Sequence, residues 1–287
     1  MSILYEINSF AGAYETPHLQ SWDSFVEFIV SILKELFSYH AITYIPSDKV
    51  SVKRLYTFEH EGDPFQKLIA NYIAEKTKFS NFHYKSLYEP QEFEAGNFIN
   101  TWLRKFEIGD HLIIEPTVDG LGVMLRLFES ESDTVGHLLA DEGYGISQLI
   151  SILAAIEIEI MKTKTDISKK INGITLIIEE PEVHFHPKMQ SLLADMFWDA
   201  LYHHGVQFIV ETHSEYMIRK MQVIMAKYAR EKGLTDDDMA KKCPAAVYYF
   251  LKEGRPYDMG LRKDGKFSNE FGAGFFDEAA NLAFELF

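Results

Sequence analysis

One segment limits the folds open to this chain more than any other: Ile174-Thr-Leu-Ile-Ile-Glu-Glu-Pro-Glu-Val-His-Phe-His-Pro187. Its unbroken apolar, β-branched start, bounded by Gly173 and Pro181, reads as a strand buried on both faces, the kind found in parallel sheets. The run ends on two adjacent carboxylates. A buried strand has no use for charge at its tip unless something cationic sits there. Glu179 and Glu180 therefore mark the carboxyl end of a central strand, where open α/β sheets bind their ligands. The plainer alternative is a solvated acidic turn after a core strand.

The pattern then recurs. Pro187 opens a helix with Leu192, Leu193, Met196, Phe197 and Leu201 turned inward. Val206-Gln-Phe-Ile-Val210 is a second buried strand, and it too ends in polar residues, Glu211-Thr-His-Ser-Glu215. A helix over Tyr216–Tyr228 follows. Upstream, a short strand from Val135 enters Gly143-Tyr-Gly145, and Ser147-Gln148 opens a helix whose stripe is Leu149, Ile152, Leu153 and Ile156. Glycines let backbone approach a ligand closely, and free N–H groups at a helix start attract phosphate. Gly-x-Gly turns before helices are common, so this signal is weak alone.

The rest of the chain supplies supporting elements. An amphipathic helix is expected from Ser21, burying Trp22, Phe25, Ile29, Ile32 and Leu36, and a strand over Ala41–Ile45. The loop after it carries Lys49, Lys53 and Arg54, which suits an anion or simply solvent. Asp63-Pro64 reads as a helix start, with Phe65, Leu68, Ile69, Tyr72 and Ile73 on its apolar face. A helix from about Gln91 buries Phe98, Trp102 and Phe106, with Gly109 as its cap. His111–Glu115 and Val123–Phe128 form a hairpin through Asp119-Gly120. Lys232–Lys242 is read as a charged surface insertion, and Ala245–Leu251 and Met259–Arg262 as strands before a short final helix. Strands alternating with helices argue an α/β fold with a mostly parallel sheet and flanking helices.

Composition excludes several classes. A net charge of -15 repels nucleic acid, so any DNA role of this chain is indirect. The single cysteine, Cys243, rules out a disulfide framework or a cysteine-based zinc site and suits a reducing cytoplasm. The start lacks a basic n-region and an apolar h-region, and no apolar run reads as a membrane span.

Three strand-end sites thus stand together: Gly143–Gln148, Glu179–Glu182 and Thr212–Ser214. At these residues the sequence resembles the ABC-type ATPases of the OLD (overcoming lysogenization defect) and SMC-like class, and more closely the AAA-like bacterial ATPases of phage-defence operons. In that family the Walker B strand runs into Asp-Glu-Pro-Glu, two variable residues and Leu-His-Pro; here Leu176–Pro187 has the same length and order. The resemblance implies that Glu179 takes the Mg²⁺-side position and Glu180 that of the catalytic base. It makes Thr212-His213-Ser214 the switch-histidine turn. It makes Gly143-Tyr-Gly-Ile-Ser-Gln148 the signature, so that Gly143, Gly145, Ser147 and Gln148 contact ATP and Ser147 reaches the γ-phosphate of ATP held by the opposite subunit. Tyr44–Ser47 with Arg54–Tyr56, and the tail Gly274–Glu278, resemble further family segments.

Two departures stand out. Glu179 replaces an aspartate, and no Gly-x-x-x-x-Gly-Lys-Ser/Thr occurs in the sequence. The family places that P-loop in an N-terminal lobe. The resemblance therefore implies the Walker B/signature lobe of an ATPase head, with ATP and Mg²⁺ as cofactors. Its P-loop would come from another lobe or chain, in a homo- or hetero-oligomeric ATP sandwich that drives a nuclease or other effector in antiphage or DNA-related work. The expected organisation is an N-terminal segment 1–40, a helical and hairpin region 41–134, an ATPase lobe 135–251 and a C-terminal hairpin and helix 252–287. Two other readings stay open: a degenerate ATPase acting as a partner-binding scaffold, and a metal-dependent hydrolase using Glu182, His184, His186 and His213.

Overall fold

A computed structural model describes residues 3–7, 41–45, 54, 56–57, 64–81, 93–94, 96–117, 122–165, 174–251 and 255–285. The helix expected from Ser21, Lys49 and Lys53, and the Asp119-Gly120 turn lie outside these residues. In chain order the elements begin with β1 (Ile3–Ile7), β2 (Ala41–Ile45), β3 (Tyr56–Thr57), α1 (Pro64–Asn81), β4 (Phe93–Glu94) and α2 (Asn97–Lys105). Next come β5 (His111–Pro116), β6 (Gly122–Phe128), β7 (His137–Leu138) and α3 (Tyr144–Thr165). Then follow β8 (Ile174–Glu179), α4 (Pro187–His204), β9 (Val206–Thr212), α5 (Glu215–Lys232), α6 (Asp236–Lys242), β10 (Ala246–Tyr249), β11 (Tyr257–Asp258) and α7 (Glu278–Phe284). The chain divides into two compact units. One comprises Met1–Tyr44, Ile171–Glu182 and His186–Phe287; the other comprises Ile45–Lys170 and Val183–Phe185.

The first unit is an α/β layer flanked by helices, as the alternation of elements predicts. Its sheet runs β11-β10-β1-β9-β8-β2. The pair that carries the polar strand ends, β8 and β9, is parallel, in the register Ile178↔Val210 and Glu179↔Glu211. Antiparallel strands extend it on one side: β1 against β9, β10 against β1, and β11 against β10. Thr175–Ile178 are buried and Phe208–Thr212 likewise, which accounts for the unbroken apolar runs. On α4, Leu193, Met196, Phe197 and Ala200 are buried, and the Phe197 and Phe208 rings meet at 4.8 Å. Burying one such side chain is worth about 1.5–3 kcal/mol. Gly205 stops α4 in the left-handed conformation, φ 72°, as Gly233 stops α5 at φ 64°.

The second unit packs helices on an antiparallel sheet, β3-β6-β5-β4 with β7 on β6. The expected hairpin is present: Pro116 pairs with Val123, and the Thr117 N–H donates to the Gly122 carbonyl at 2.9 Å. The core helix is α3. From Leu149 to Met161 every residue is buried, not only the expected stripe. By length and composition its Tyr144–Lys162 portion would suit a bilayer, contrary to the reading of the sequence, yet 83% of that window is buried within the protein. Packing explains its apolarity.

Three sequence expectations need correction. The helix placed from Gln91 begins at Asn97, because the Glu157 carboxylate on α3 accepts the Ile99 N–H at 2.9 Å and so fixes the first turn there. Its left-handed terminator is Glu107, φ 59°, rather than Gly109. Lys232–Lys242 is the mostly exposed, charged stretch expected, and it is largely helical. It holds the end of α5 and a short helix, α6, nucleated by the Thr235–Asp238 capping box. The strand expected over Met259–Arg262 is displaced to Tyr257–Asp258, with only a single bridge between Leu261 and Phe267.

Candidate active site

The turn after β8 and the turn after β9 lie side by side because the two strands are parallel and in register. The Glu180 N–H donates to the Glu211 carbonyl at 2.9 Å, carrying the pairing one residue past the end of β8. Glu180 then adopts φ 41°, a left-handed conformation that a glutamate rarely takes. Such strain persists only where surrounding contacts over-determine it, and it is common at functional sites. Pro181 and Glu182 turn inward and are buried, and the chain leaves through His184 at φ 68°.

Four carboxylates gather at these strand ends. Glu179 accepts a hydrogen bond from the Tyr44 hydroxyl of β2 at 2.6 Å. His213 presents its Nε2 at 3.4 Å from Glu180 and 3.6 Å from Glu211. The ligand-type atoms of Glu180, Glu211 and His213 all lie within 4.8 Å of one another. Glu211 is buried while His213 is exposed, so the group opens to solvent on the histidine side. Like charges about 4 Å apart repel by roughly 4 kcal/mol near a protein surface, so a cation bound here would relieve that repulsion.

Glu182 is buried to much the same degree as Glu211. One oxygen accepts the His213 backbone N–H at 2.6 Å; the other is buried and has no partner among the described residues. Burial pushes its carboxyl above the ordinary range, with the His213 N–H pulling partly back. The loop beyond is equally fixed. The Thr212 hydroxyl accepts the Ser214 N–H at 3.0 Å, the Ser214 hydroxyl accepts the Met217 N–H at 3.1 Å as the N-cap of α5, and it donates to Gln190 at 2.6 Å.

The glycine-rich segment belongs to the second unit. Helix α3 begins at Tyr144, inside the Gly-x-Gly turn rather than after it, and the Ile146 N–H donates to the Gly143 carbonyl at 3.1 Å. Packing at Gly145 is tight: a Cβ there would stand 3.0 Å from the Phe185 ring and 3.1 Å from the His184 carbonyl. Gly143 and Tyr144 are exposed. Ser147 and Gln148 are buried, and the Ser147 hydroxyl donates to the Gly143 carbonyl at 3.4 Å. Arg54, from the segment that follows β2, forms an ion pair with Asp141 just before this turn.

The structure thus brings Glu179, Glu180 and His213 together on one sheet end. It adds Glu211, Glu182 and Tyr44 as their direct partners. His184 sits at φ 68° and so breaks the extended alternation with His186 that a metal-hydrolase reading needs. Among the described residues, the metal-capable group contains His213 with Glu180 and Glu211 instead. Glu211 was signalled in the sequence only as a polar strand end; aligning the tips of the two buried strands would have placed it opposite Glu179.

No curated protein and no solved structure matches the chain. A family model of the AAA ATPase domain matches residues 21–218, well over half of the sequence and inclusive of all three strand-end segments. The chain belongs to the AAA ATPase domain family.

Proposed function

We propose that this chain is the Walker B/signature half of an ABC-type ATPase head, which hydrolyses ATP with Mg²⁺ once another lobe or chain supplies the P-loop. The observation that carries the reading is the approach of His213 Nε2 to Glu180 at 3.4 Å, across the ends of two adjacent parallel strands. Phosphoryl transfer needs a group to orient the attacking water, a donor toward the γ-phosphate and a cation to neutralise developing charge. Glu180 takes the first role as general base, and His213 the second. The donor set fits Mg²⁺: Glu179 is a half-buried carboxylate with one oxygen fixed by Tyr44, able to hold the ion through its water shell. Gly143, Gly145, Ser147 and Gln148 form the signature, facing nucleotide on an opposing subunit. For Ser147 to reach phosphate, its hydroxyl must exchange the Gly143 carbonyl for the ligand.

In this reading the chain works in the cytoplasm within a homo- or hetero-oligomer. ATP turnover there controls a nuclease or other effector in antiphage or DNA-related work, and the acidic surface leaves DNA contact to that partner. The test is reconstitution. Mixed with a chain that carries a P-loop lobe of the same ATPase family, the protein should turn over ATP, and Glu180→Gln should reduce the rate by about 10²–10⁴-fold. Turnover no higher than that of Glu180→Gln would sink the reading. A biological phenotype kept by both Glu180→Gln and His213→Ala would favour a non-catalytic scaffold instead.

A further inference from the structure

The turn after β8 contains a second glutamate whose burial is not required by water activation. Glu182 is only 8% exposed, and an apolar side chain could fill that space without the cost of burying a carboxyl group. What the carboxylate provides is an acceptor. The ladder of β9 ends at Thr212, and α5 begins at Glu215 with Ser214 as its cap. Thr212 takes the Ser214 N–H, and Ser214 takes that of Met217. The N–H of His213 falls between these two systems, and Glu182 accepts it at 2.6 Å from a position 31 residues earlier in the chain. His213 is therefore fixed from two directions. Its main chain is held by Glu182, and its imidazole lies against Glu180 and Glu211.

We propose that Glu182 is the positioning residue of the switch histidine: it ties the main chain of His213 to the turn that bears Glu180, so that the two groups keep one distance during turnover. The assignment rests on the reading of His213 as the donor toward the γ-phosphate. Glu182 itself touches neither nucleotide nor water in this scheme. Its removal takes the acceptor from the part-buried His213 N–H and frees the histidine loop, while Glu180 stays in place through its own bond to the Glu211 carbonyl. Glutamine keeps an acceptor oxygen at the same reach; alanine does not.

Two measurements test this. In the complex with the P-loop-bearing chain, Glu182→Ala should lower kcat roughly 10- to 100-fold at unchanged KM for ATP, and Glu182→Gln should restore most of the rate. In the full chain labelled with ¹⁵N-histidine, the His213 amide signal should lie downfield and exchange slowly. It should keep its protection in Glu182→Gln and lose it in Glu182→Ala, while the signals of the other ten of the 11 histidines report that the chain is folded. A kcat for Glu182→Gln as low as that for Glu182→Ala overturns the proposal, as does a loss confined to KM. A His213 amide unmoved by Glu182→Ala overturns it even where turnover is normal. Absence of turnover in the wild-type complex removes the ATPase reading instead, and the amide measurement stands apart from it.

Discussion

The Nε2 of His213 lies 3.4 Å from a Glu180 carboxylate oxygen, beyond ordinary hydrogen-bond length yet with no room for another group between them. In the proposed ATPase reading, a separation of that kind suits two side chains that meet over a shared third party, the attacking water and the terminal phosphate. Groups that act as one unit give non-additive losses. Once Glu180→Gln has removed about 10²–10⁴-fold of the turnover, adding His213→Ala should cost little more. Steady-state ATP hydrolysis by the two single variants and the double variant checks this; fully multiplicative losses would mean that the two side chains work independently.

Gly145→Ala should damage the glycine-rich turn through packing alone. The added methyl meets the buried Phe185 ring and the His184 carbonyl at 3.0–3.1 Å, and the carbonyl cannot rotate away. Overpacking of this kind costs about 1–3 kcal/mol. Urea unfolding should show the loss, and Phe185→Leu in the same chain should recover part of it.

Gly96→Ala should be worse, and for a different reason. Gly96 has φ -72°, so its backbone asks for no glycine. A Cβ, however, would sit 1.2 Å from the Glu157 carboxylate oxygen, beside the bond that fixes the first turn of α2. Forcing that carboxylate off the Ile99 N–H costs roughly 1.5–3 kcal/mol before any strain is added. In a Glu157→Ala background the same substitution should cost much less, and a double-mutant cycle in chemical denaturation measures the difference. Additive effects would place the origin of the glycine elsewhere.

The buried Glu182 makes a prediction about pH. Its folded-state pKa is raised above the ordinary 4.5, chiefly by desolvation. Between the unfolded and folded values the native state holds the extra proton, so stability falls as pH rises through that window. The group's contribution is fully present below the unfolded value and is lost above the folded one. Glu182→Gln, which cannot ionise, should therefore raise the thermal midpoint relative to wild type at neutral pH, and the gap should close near pH 4. A gap that widens on acidification would show that the carboxylate is stabilised by its partners more than it is penalised by burial.

The parts of the site that could be read in advance were those with a local signature. Ile174–Glu179 and Val206–Thr212 announce buried strands through unbroken apolar residues, and the polar tips announce themselves by contrast. The α/β class followed from the same alternation. What escaped depends on partners far away in sequence. Glu211 gains its meaning from a strand register, and Glu182 from an N–H beyond the next helix and strand. The start of α2 was misplaced because the carboxylate that sets it comes from α3. The two-residue β11 carried too little pattern to locate. Helix α6 was hidden by its charge, although Thr235 and Asp238 stand at the spacing of a capping box.

Strand β1 has a consequence for how the protein is made. It lies between β9 and β10, with Ile3 paired to both Thr212 and Tyr249. A ribosome releases β1 long before β9 and β10 exist, so the strand emerges with both hydrogen-bonding edges bare. The first unit cannot close until translation has passed β10, and the contact order of that closure predicts slow folding. The second unit contains most of the intervening chain and has no such dependence, so it is able to condense while synthesis continues. During that interval the nascent chain is most in need of a chaperone on β1, and truncations that remove β10 should aggregate rather than merely lose activity.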